Sequence, residues 1–248
     1  MNLFGLIGYP LGHSFSKTYF TNKFETEGLE DYFFDLFPLE NINEFPGLIQ
    51  FQKSLKGLAV TIPYKQTVIP FLDVLSAEAT EIAAVNCIQF SNGKLKGFNT
   101  DVLGFEKSFT PLLQSCHLKA LILGTGGASK AVQFVLNKLG ILFQLVSRTG
   151  DKSSGIIAYT DLDETILKEF TIIINCSPVG MFPDEDAKPA IPYQYISSQH
   201  YLYDLVYKPS ETPFLKEGIR KGATIKNGYE MLILQAEANW KIWTGIGT

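Results

Sequence analysis

The chain has 248 residues, of which 46% are hydrophobic and 19% charged, and this composition excludes a disordered protein. Its length suits one large domain or two smaller ones, since domains commonly hold roughly 100–200 residues. The net charge is -4 and no block of lysines or arginines stands out, so we expect neither a nucleic-acid nor an anionic-membrane partner.

Cysteine usage and the N-terminus indicate the compartment. Cys87, Cys116 and Cys176 are odd in number and far apart, without a CxxC pair or a Cys/His cluster. We therefore predict no metal site and no disulfide, and we interpret all three as reduced, buried thiols. The N-terminus lacks a basic segment followed by an apolar one, and no apolar run approaches the roughly 20 residues that span a bilayer. We expect a cytoplasmic protein without a membrane partner.

The first half of the chain alternates short apolar runs with amphipathic stretches. We predict strands at 3–7, 32–37 and 57–62, helices at 16–27 and 71–83, and a hairpin of 86–90 with 94–98. A serine N-cap opens the helix at 16–27, and Ser91-Asn92-Gly93 forms the hairpin turn.

The second half has a regular rhythm of strands and helices. We predict strands at 120–123, 143–147, 172–176 and 201–206, with helices at 127–139 and 212–221. This alternation predicts parallel βαβ units with right-handed crossovers. Long helical patterns at 101–113 and 228–243 flank this half. We expect the last one to return to the N-terminal half, with Trp240 and Trp243 in its core, which would make that domain discontinuous.

A glycine-rich turn between a predicted strand and a predicted helix, GTGGASKA at 124–131, is the strongest motif. Gly124, Gly126 and Gly127 let the backbone turn tightly and approach a pyrophosphate, whose charge the helix N-terminus would hold. Ser129 replaces the third glycine of the G-x-G-x-x-G fingerprint. The pattern predicts a dinucleotide site, and the alternative is an ordinary tight turn between strand and helix.

Residues at the end of the next predicted strand distinguish the two nicotinamide cofactors. NAD proteins usually carry an acid there to bond the ribose 2′-hydroxyl. This chain has Ser147, Arg148 and Thr149, with Lys152 beyond them, and a guanidinium can bind a 2′-phosphate bidentately. Asp151 lies past the strand end, and we interpret it as a loop charge. NADP is therefore favoured over NAD, unless Arg148 is an ordinary solvated arginine.

Eight segments, in the same order along most of the chain, resemble the shikimate dehydrogenase family. They are GYPLGHSFS (8–16), GLAVTIPYK (57–65), AVNC (84–87), GFNTDVLG (97–104), GTGGASKA (124–131), NCSPVGM (175–181), YDLVYKPSETPFL (203–215) and NGYEMLILQA (227–236). The resemblance implies an α/β fold, with an N-terminal α/β substrate-binding catalytic domain (1–103 and 229–248) and a Rossmann-type, parallel-sheet NADP domain (104–228), separated by a cleft. It implies an enzyme that reversibly reduces 3-dehydroshikimate to shikimate with NADPH, in aromatic amino acid biosynthesis. We expect a monomer or a homodimer, since the sequence does not give the oligomeric state.

The resemblance also implies roles for individual residues. Lys65 would be the catalytic acid/base, supported by Asp101, whereas we interpret His13 as a loop residue. The residues that would bind the substrate are Ser14, Ser16, Thr61, Asn86, Asp101, Tyr207 and Gln235. The residues that would bind NADP are Gly124, Thr125, Gly126, Gly127, Ala128, Ser147, Arg148, Thr149 and Lys152, with Leu205 and Gly228 lining the nicotinamide. Ser14 and Ser16 are expected in an extended segment, which would put both hydroxyls on one side.

Alternatives remain open for several of these residues and for the chain as a whole. Lys65 would otherwise be a solvated lysine, Asp101 an N-cap of the helix that follows, and Ser16 an N-cap of the first helix. The chain would otherwise be a quinate/shikimate dehydrogenase with broader substrate or cofactor use, or a noncatalytic dinucleotide-binding module.

Overall fold

The computed structural model describes residues 1–12 and 14–245, so His13 lies outside the described residues. The chain divides into two compact units. The first comprises Met1–Thr100 and the segment that begins at Gln235, and the second is Asp101–Leu234. The boundaries predicted from the sequence, 103/104 and 228/229, differ from these divisions by three and six residues. Within the described residues, no helix combines the length and the apolar character that a membrane span requires.

The first unit is built on a six-stranded sheet in the order β2-β1-β3-β5-β6-β4. Its elements are β1 (Asn2–Gly8), α1 (Phe15–Thr26), β2 (Tyr32–Pro38), α2 (Phe45–Phe51), β3 (Leu55–Val60), β4 (Val74–Leu75), α3 (Ala77–Ile82), β5 (Cys87–Ser91) and β6 (Lys94–Phe98). Strands β1, β2 and β3 are parallel, and β5 is antiparallel to both β3 and β6. The predicted hairpin is confirmed, because Asn92 and Gly93 at its turn have φ of 52° and 71°, as a type I′ turn requires.

Three predictions for this unit are wrong in detail. The N-cap of α1 is Ser14, whose side chain accepts from the Lys17 backbone N–H at 3.4 Å, so Ser16 lies inside the first turn and not in an extended segment. The helix predicted at 71–83 begins only at Ala77, because Ser76 caps it through the Ala79 N–H and the residues before it pair as β4. The strand predicted at 57–62 ends at Val60.

The C-terminal helix α8 (Tyr229–Thr244) begins in the second unit and ends in the first. Trp240 and Trp243 are 6% and 7% exposed and pack in one cluster with Phe4 and Phe20. Their interpretation as core residues is confirmed. The Trp243 indole N–H also donates to the Ile88 carbonyl at 3.0 Å, which satisfies its polar atom inside the core.

We expect Gly57→Ala to destabilise the protein by about 1–3 kcal/mol, the usual cost of overpacking a core. A Cβ at this position in β3 would overlap the Trp243 indole ring. Urea denaturation of the two proteins measures the loss. Gly47→Ala is the matched control, since position 47 is helical and has open space around it. An equal loss of stability at both positions would contradict the assignment of the effect to Trp243.

The second unit is built on a six-stranded, entirely parallel sheet in the order β12-β11-β10-β7-β8-β9. Its elements are α4 (Asp101–Phe109), β7 (Lys119–Leu123), α5 (Gly127–Lys138), β8 (Leu142–Ser147), β9 (Ile157–Ala158), α6 (Glu164–Glu169), β10 (Ile172–Asn175), β11 (Tyr201–Asp204), α7 (Pro213–Arg220) and β12 (Thr224–Asn227). The four predicted strands and the predicted parallel pairing are confirmed. The order is that of a Rossmann sheet, in which the first strand lies at the centre.

The three cysteines are free, as predicted, but they are not all buried. Cys87 is buried in β5 and Cys176 is half-buried after β10. Cys116 is exposed, because it lies in the turn that precedes β7. Among the described residues, no group of histidine, cysteine and carboxylate side chains is arranged to hold a metal ion.

Candidate active site and cofactor site

The glycine-rich turn of the second unit has the geometry of a phosphate-binding loop. Strand β7 ends at Leu123, and Gly124 turns the chain with a φ of +107°. A Cβ at 124 would lie 3.2 Å from the Ser177 amide nitrogen, so the close approach of the segment after β10 also requires glycine. Gly126 is the N-cap of the 12-residue helix α5 and has open space beside it. No described side chain caps this helix, which leaves its first N–H groups suited to an anion.

Ser129 explains how the motif departs from the three-glycine fingerprint. Its side chain is fully buried, and its hydroxyl donates to the Gly126 carbonyl at 2.7 Å. The hydrogen-bonding capacity of the hydroxyl is therefore satisfied within the turn. The side chain occupies the position where the fingerprint has a glycine that allows the helix to pack closely on the strand. Thr125 is exposed, and Gly127 and Ala128 form the half-buried first turn of α5. The loop lies beside the boundary between β7 and β10, where the strand order of the sheet reverses and ligands of such sheets bind.

The residues predicted to select the cofactor follow β8. Ser147 is the last residue of that strand, and its Oγ accepts from the Gly150 N–H at 3.0 Å. Arg148 and Thr149 are exposed, and Arg148 has no carboxylate within ion-pair distance among the described residues. A cation in this position is available to a phosphate. Lys152 is also exposed and begins a short 3₁₀ helix.

Asp151 has a local structural role, which agrees with its interpretation as a loop charge. Its carboxylate accepts from the Ser153 and Ser154 hydroxyls at 2.6 and 2.7 Å and from the Ser153 N–H at 3.0 Å. The hydrogen bond from the Ser153 side chain, followed by that from Ser154, lowers the pKa of Asp151. The carboxylate is thus committed to its own loop, and it does not occupy the end of β8.

The structure brings Leu205 and Gly228 together within the second unit. Leu205 directly follows β11, and Gly228 directly follows β12. A Cβ at 228 would overlap the Leu205 carbonyl, so only glycine lets the two backbones approach this closely. Tyr207, predicted near the substrate carboxylate, is half-buried two residues after Leu205, and burial raises the pKa of its phenol.

The buried carboxylate of Asp204 forms hydrogen bonds that link the segments after β10 and β11. It accepts from Asn175 Nδ2 at 2.9 Å, from the Thr212 hydroxyl at 2.6 Å and from the Val206 N–H at 3.0 Å. Burial raises its pKa to about 6, although these three hydrogen bonds act in the opposite direction. The carboxylate is fully buried and joins the end of β10, the end of β11 and the N-cap of α7.

Asp204→Asn is expected to change the pH dependence of stability. The native pKa of about 6 lies above the ordinary value of 3.8, so the native state binds this proton more tightly than the unfolded chain. The resulting stabilisation is present at low pH and is lost as the pH rises from about 4 to about 6. Relative to wild type, the unfolding free energy of the variant should therefore rise by about 2 kcal/mol between pH 4 and pH 7.

Urea denaturation at several pH values across this range measures the effect, and groups that titrate in both proteins cancel in the difference. Asp163→Asn is the control, because Asp163 is an exposed N-cap whose replacement keeps the capping group. A difference between Asp204→Asn and wild type that stays constant with pH would contradict the raised pKa.

In the first unit, four polar side chains form one hydrogen-bonded cluster, which we call the amide cluster. Its members are Asn86, Thr100, Gln235 and Asn239. Asn86 and Asn239 are 3% and 1% exposed, and Gln235 is half-buried. The cluster joins the chain before β5, the chain after β6 and helix α8. The predicted substrate residues Asn86 and Gln235 therefore lie together.

Backbone hydrogen bonds bring two further predicted residues to the same end of the sheet. The Thr61 N–H donates to the Ile7 carbonyl at 2.9 Å, immediately after β3. The Lys65 carbonyl accepts from the Val85 N–H at 2.6 Å, one residue before Asn86. Thr61 and Lys65 are both half-buried, so Lys65 is not a fully solvated surface lysine.

Gly8 permits the close contact between β1 and the chain after β3. A Cβ at this position would overlap the Thr61 methyl group and lie 2.9 Å from the Ile62 carbonyl. Ser14 and Ser16 follow in the N-cap and the first turn of α1, and both are half-buried. The alternative in which Ser16 caps the first helix is wrong, since Ser14 does so.

Asp101 begins helix α4 and is 6% exposed. It is the first residue of the helix and lies in its first turn. Its carboxylate at a helix N-terminus is favoured by the helix dipole. Asp101 opens the second unit, whereas Lys65 belongs to the first.

Comparisons with known proteins agree on one family. A sequence profile of the shikimate dehydrogenase substrate binding domain matches residues 6–88. The shikimate dehydrogenase (NADP(+)) of Halothermothrix orenii is 39% identical over 98% of this chain and 90% of its own length. The crystal structure of shikimate dehydrogenase from Aquifex aeolicus has a TM-score of 0.88 at 33% identity, covering 100% of this chain and 94% of that one. The chain belongs to the shikimate dehydrogenase family. It is therefore an oxidoreductase that uses NADP, and the resemblance seen in the sequence is confirmed.

Two further similar structures were solved with bound ligands. A shikimate 5-dehydrogenase from Thermus thermophilus, solved in complex with NADP(H) and shikimate, has a TM-score of 0.86 at 31% identity and covers 99% of this chain and 94% of that one. A quinate dehydrogenase from Corynebacterium glutamicum, solved with NAD, has the same TM-score at 24% identity. The second similarity shows the fold alone.

Sequence reasoning missed several polar residues of the two units. Thr100 and Asn239 belong to the amide cluster, and Asn175, Asp204 and Thr212 form the buried network of the second unit. A signal existed for Asn239, because it lies four residues after Gln235 on the same helix face. Asn175 and Asp204 lie in segments that resemble the family, but nothing in the sequence alone showed that they pair.

Proposed function

We propose that this chain catalyses the reversible, NADPH-dependent reduction of 3-dehydroshikimate to shikimate. The observation that carries the proposal is the match to shikimate dehydrogenases (NADP(+)) along almost the entire chain, with more than a third of positions identical. The glycine turn at the N-terminus of α5 fits a pyrophosphate, since it is uncapped and has open space beside Gly126. We also expect the protein in the cytoplasm, in keeping with its three free cysteines.

The first unit is proposed to bind the substrate. Its predicted substrate-binding side chains carry hydroxyl and amide groups, which can bond a carboxylate and ring hydroxyls. Ser14 and Ser16 would bind the carboxylate, with Tyr207 of the second unit also assigned to it. Thr61, Asn86, Asp101 and Gln235 would bond the ring hydroxyls. The burial of Asn86 and the half-burial of Gln235 support this assignment, because ordered donors cost little entropy on binding.

Lys65 is proposed as the catalytic acid/base. Bound NADPH supplies the hydride to the carbonyl carbon of the substrate. The Lys65 ammonium would donate a proton to the carbonyl oxygen as alkoxide charge develops, and the neutral amine would take it back in the oxidation direction. Asp101 would orient the ammonium.

The second unit is proposed to bind NADP. Gly124, Thr125, Gly126, Gly127 and Ala128 would hold the pyrophosphate at the N-terminus of α5. Ser147, Arg148, Thr149 and Lys152 would bind the 2′-phosphate at the end of β8, where two exposed cations are available. Leu205 and Gly228, whose backbones touch, would line the nicotinamide.

The decisive experiment is a spectrophotometric assay of shikimate and quinate oxidation, each with NADP⁺ and with NAD⁺. We expect turnover with shikimate and NADP⁺ to exceed the other three combinations clearly in kcat/KM. Comparable rates with quinate would favour a quinate/shikimate dehydrogenase. Tight NADPH binding without turnover of either acid would favour a noncatalytic dinucleotide-binding module.

A further inference from the structure

The donors and acceptors of the amide cluster can be assigned, starting from a backbone N–H. The Thr100 N–H donates to Asn86 Oδ1 at 2.7 Å, and a backbone N–H can only donate. This contact therefore identifies which end of the Asn86 side chain is the oxygen. The other end, Nδ2, donates to the Thr100 hydroxyl at 3.0 Å and to Gln235 Oε1 at 3.4 Å.

The same assignment of donors and acceptors extends to Asn239. The Thr100 hydroxyl lies 2.6 Å from Asn239 Oδ1, a length typical of O–H···O hydrogen bonds and shorter than those an amide N–H usually makes. Its other acceptor, Asn86 Oδ1, is farther away at 3.2 Å and already accepts from the Thr100 N–H, so the single hydroxyl proton is assigned to Asn239. Because the oxygen of Asn239 receives this proton, its Nδ2 faces Gln235 and donates to Oε1 at 3.3 Å. Two amide donors, from Asn86 and Asn239, thus converge on a single atom of Gln235, which must be its oxygen.

We propose that Asn239 is a positioning residue that fixes the Gln235 amide with its Nε2 amino group toward the substrate, so that Gln235 selects a ligand atom that accepts a hydrogen bond. The inference rests on the proposed function, in which Gln235 contacts the substrate. A terminal amide can turn by 180° at little intrinsic cost, so its polarity is set by its neighbours. Here the neighbours are buried, and a turned Gln235 would place an N–H₂ group against two other N–H₂ groups.

The chemical consequence is a preference at one position of the ligand. A hydroxyl or a keto oxygen can accept from Gln235 Nε2, whereas a methylene or an ammonium group cannot. A site that donates to a ligand oxygen favours a ligand that carries the oxygen over an analogue that lacks it. Asn239 therefore acts on specificity through Gln235, and Thr100 acts through Asn239.

A double-mutant cycle tests the role of Asn239 in the full-length protein. Asn239→Leu should raise the KM for shikimate by about five- to thirty-fold, with the KM for NADP⁺ within about twofold of wild type, since one oriented hydrogen bond is weakened. In the Gln235→Leu background the same substitution should change the KM for shikimate by less than twofold. Equal effects of Asn239→Leu in both backgrounds, or no effect in either, would overturn the proposal.

A second measurement does not depend on activity or on a variant that folds. Neutron diffraction from crystals of the wild-type protein, grown in D₂O without ligand, locates the deuterons of the three side-chain amides. Two deuterons on the terminal Gln235 atom that points away from Asn86 and Asn239 would support the proposal. Deuterons on the terminal atom that faces those two residues would overturn it. This readout stands even if wild-type protein shows no turnover of shikimate, which is the outcome that would refute the proposed function itself.

Discussion

Lys65→Ala is expected to lower kcat for shikimate oxidation by about 10²–10⁴-fold while leaving the KM for shikimate nearly unchanged, as the loss of a general acid/base requires. Lys65 lies half-buried beyond the end of β3, and its backbone is hydrogen-bonded beside Asn86. The Lys65 backbone is therefore fixed beside the amide cluster, next to the proposed substrate site. Steady-state kinetics in both directions measures the change.

Two further variants distinguish the loss of proton transfer from the loss of positive charge and from general damage to the structure. Lys65→Arg keeps the positive charge, but a guanidinium does not release its proton near neutral pH, so kcat should stay low. Lys96→Ala is the matched control, because Lys96 is another half-buried lysine of the same unit and lies over the Phe98 ring. If Lys65→Arg recovers most of the wild-type kcat, Lys65 contributes charge only and the proton comes from another group.

The predictable part of the fold is the part with a strong local pattern. Strands such as β7 and β10 are continuous apolar runs that are fully buried on both sides of the parallel sheet, and so they stand out in the sequence. The elements that escaped prediction are short: β4 and β9 have two residues each, β12 has four, α6 six and α2 seven. The two-residue strands exist because neighbouring strands supply their hydrogen bonds, and no periodicity is visible in two residues.

The two candidate sites differ in the same way. The cofactor turn is contiguous in sequence, since Gly124, Gly126 and the helix that follows are read together, so its geometry was predictable. The amide cluster is not contiguous, because the Thr100–Asn239 hydrogen bond joins residues 139 positions apart. Asn86 and Gln235 were predicted only through the resemblance to the family. The place of Asn239 in the cluster depends on how α8 is rotated against the sheet, which the sequence does not give.

The position of Ser16 shows a limit of local rules. Alternation in an extended strand would place Ser14 and Ser16 on one side, but α1 begins at Phe15. Either serine satisfies the preference of an N-cap, and the sequence does not say which one takes it. The structure resolves the choice, because only the Ser14 hydroxyl accepts from the Lys17 N–H. Boundary residues of helices are the positions where such errors concentrate.

Arg148→Asp is expected to raise the KM for NADPH by about 10–100-fold while changing the KM for NADH by less than about threefold. A charge-assisted hydrogen bond to the 2′-phosphate would be lost, and a carboxylate would be placed against the phosphate. NADH lacks that phosphate and presents a 2′-hydroxyl, from which an acid can accept a hydrogen bond. Arg148 is exposed after β8 without a carboxylate within ion-pair distance among the described residues, so the substitution breaks no ion pair there.

Arg220→Asp is the matched control, because Arg220 is the only other arginine in the chain and is exposed on α7 of the same unit. Its replacement makes the same change in net charge, so any general electrostatic effect on an anionic cofactor should appear in both variants. The assignment of Arg148 therefore depends on the ratio of the two KM values and not on either alone. If Arg148→Asp weakens NADPH and NADH equally, the end of β8 does not bind the 2′-phosphate, and the preference for NADP must come from another part of the second unit.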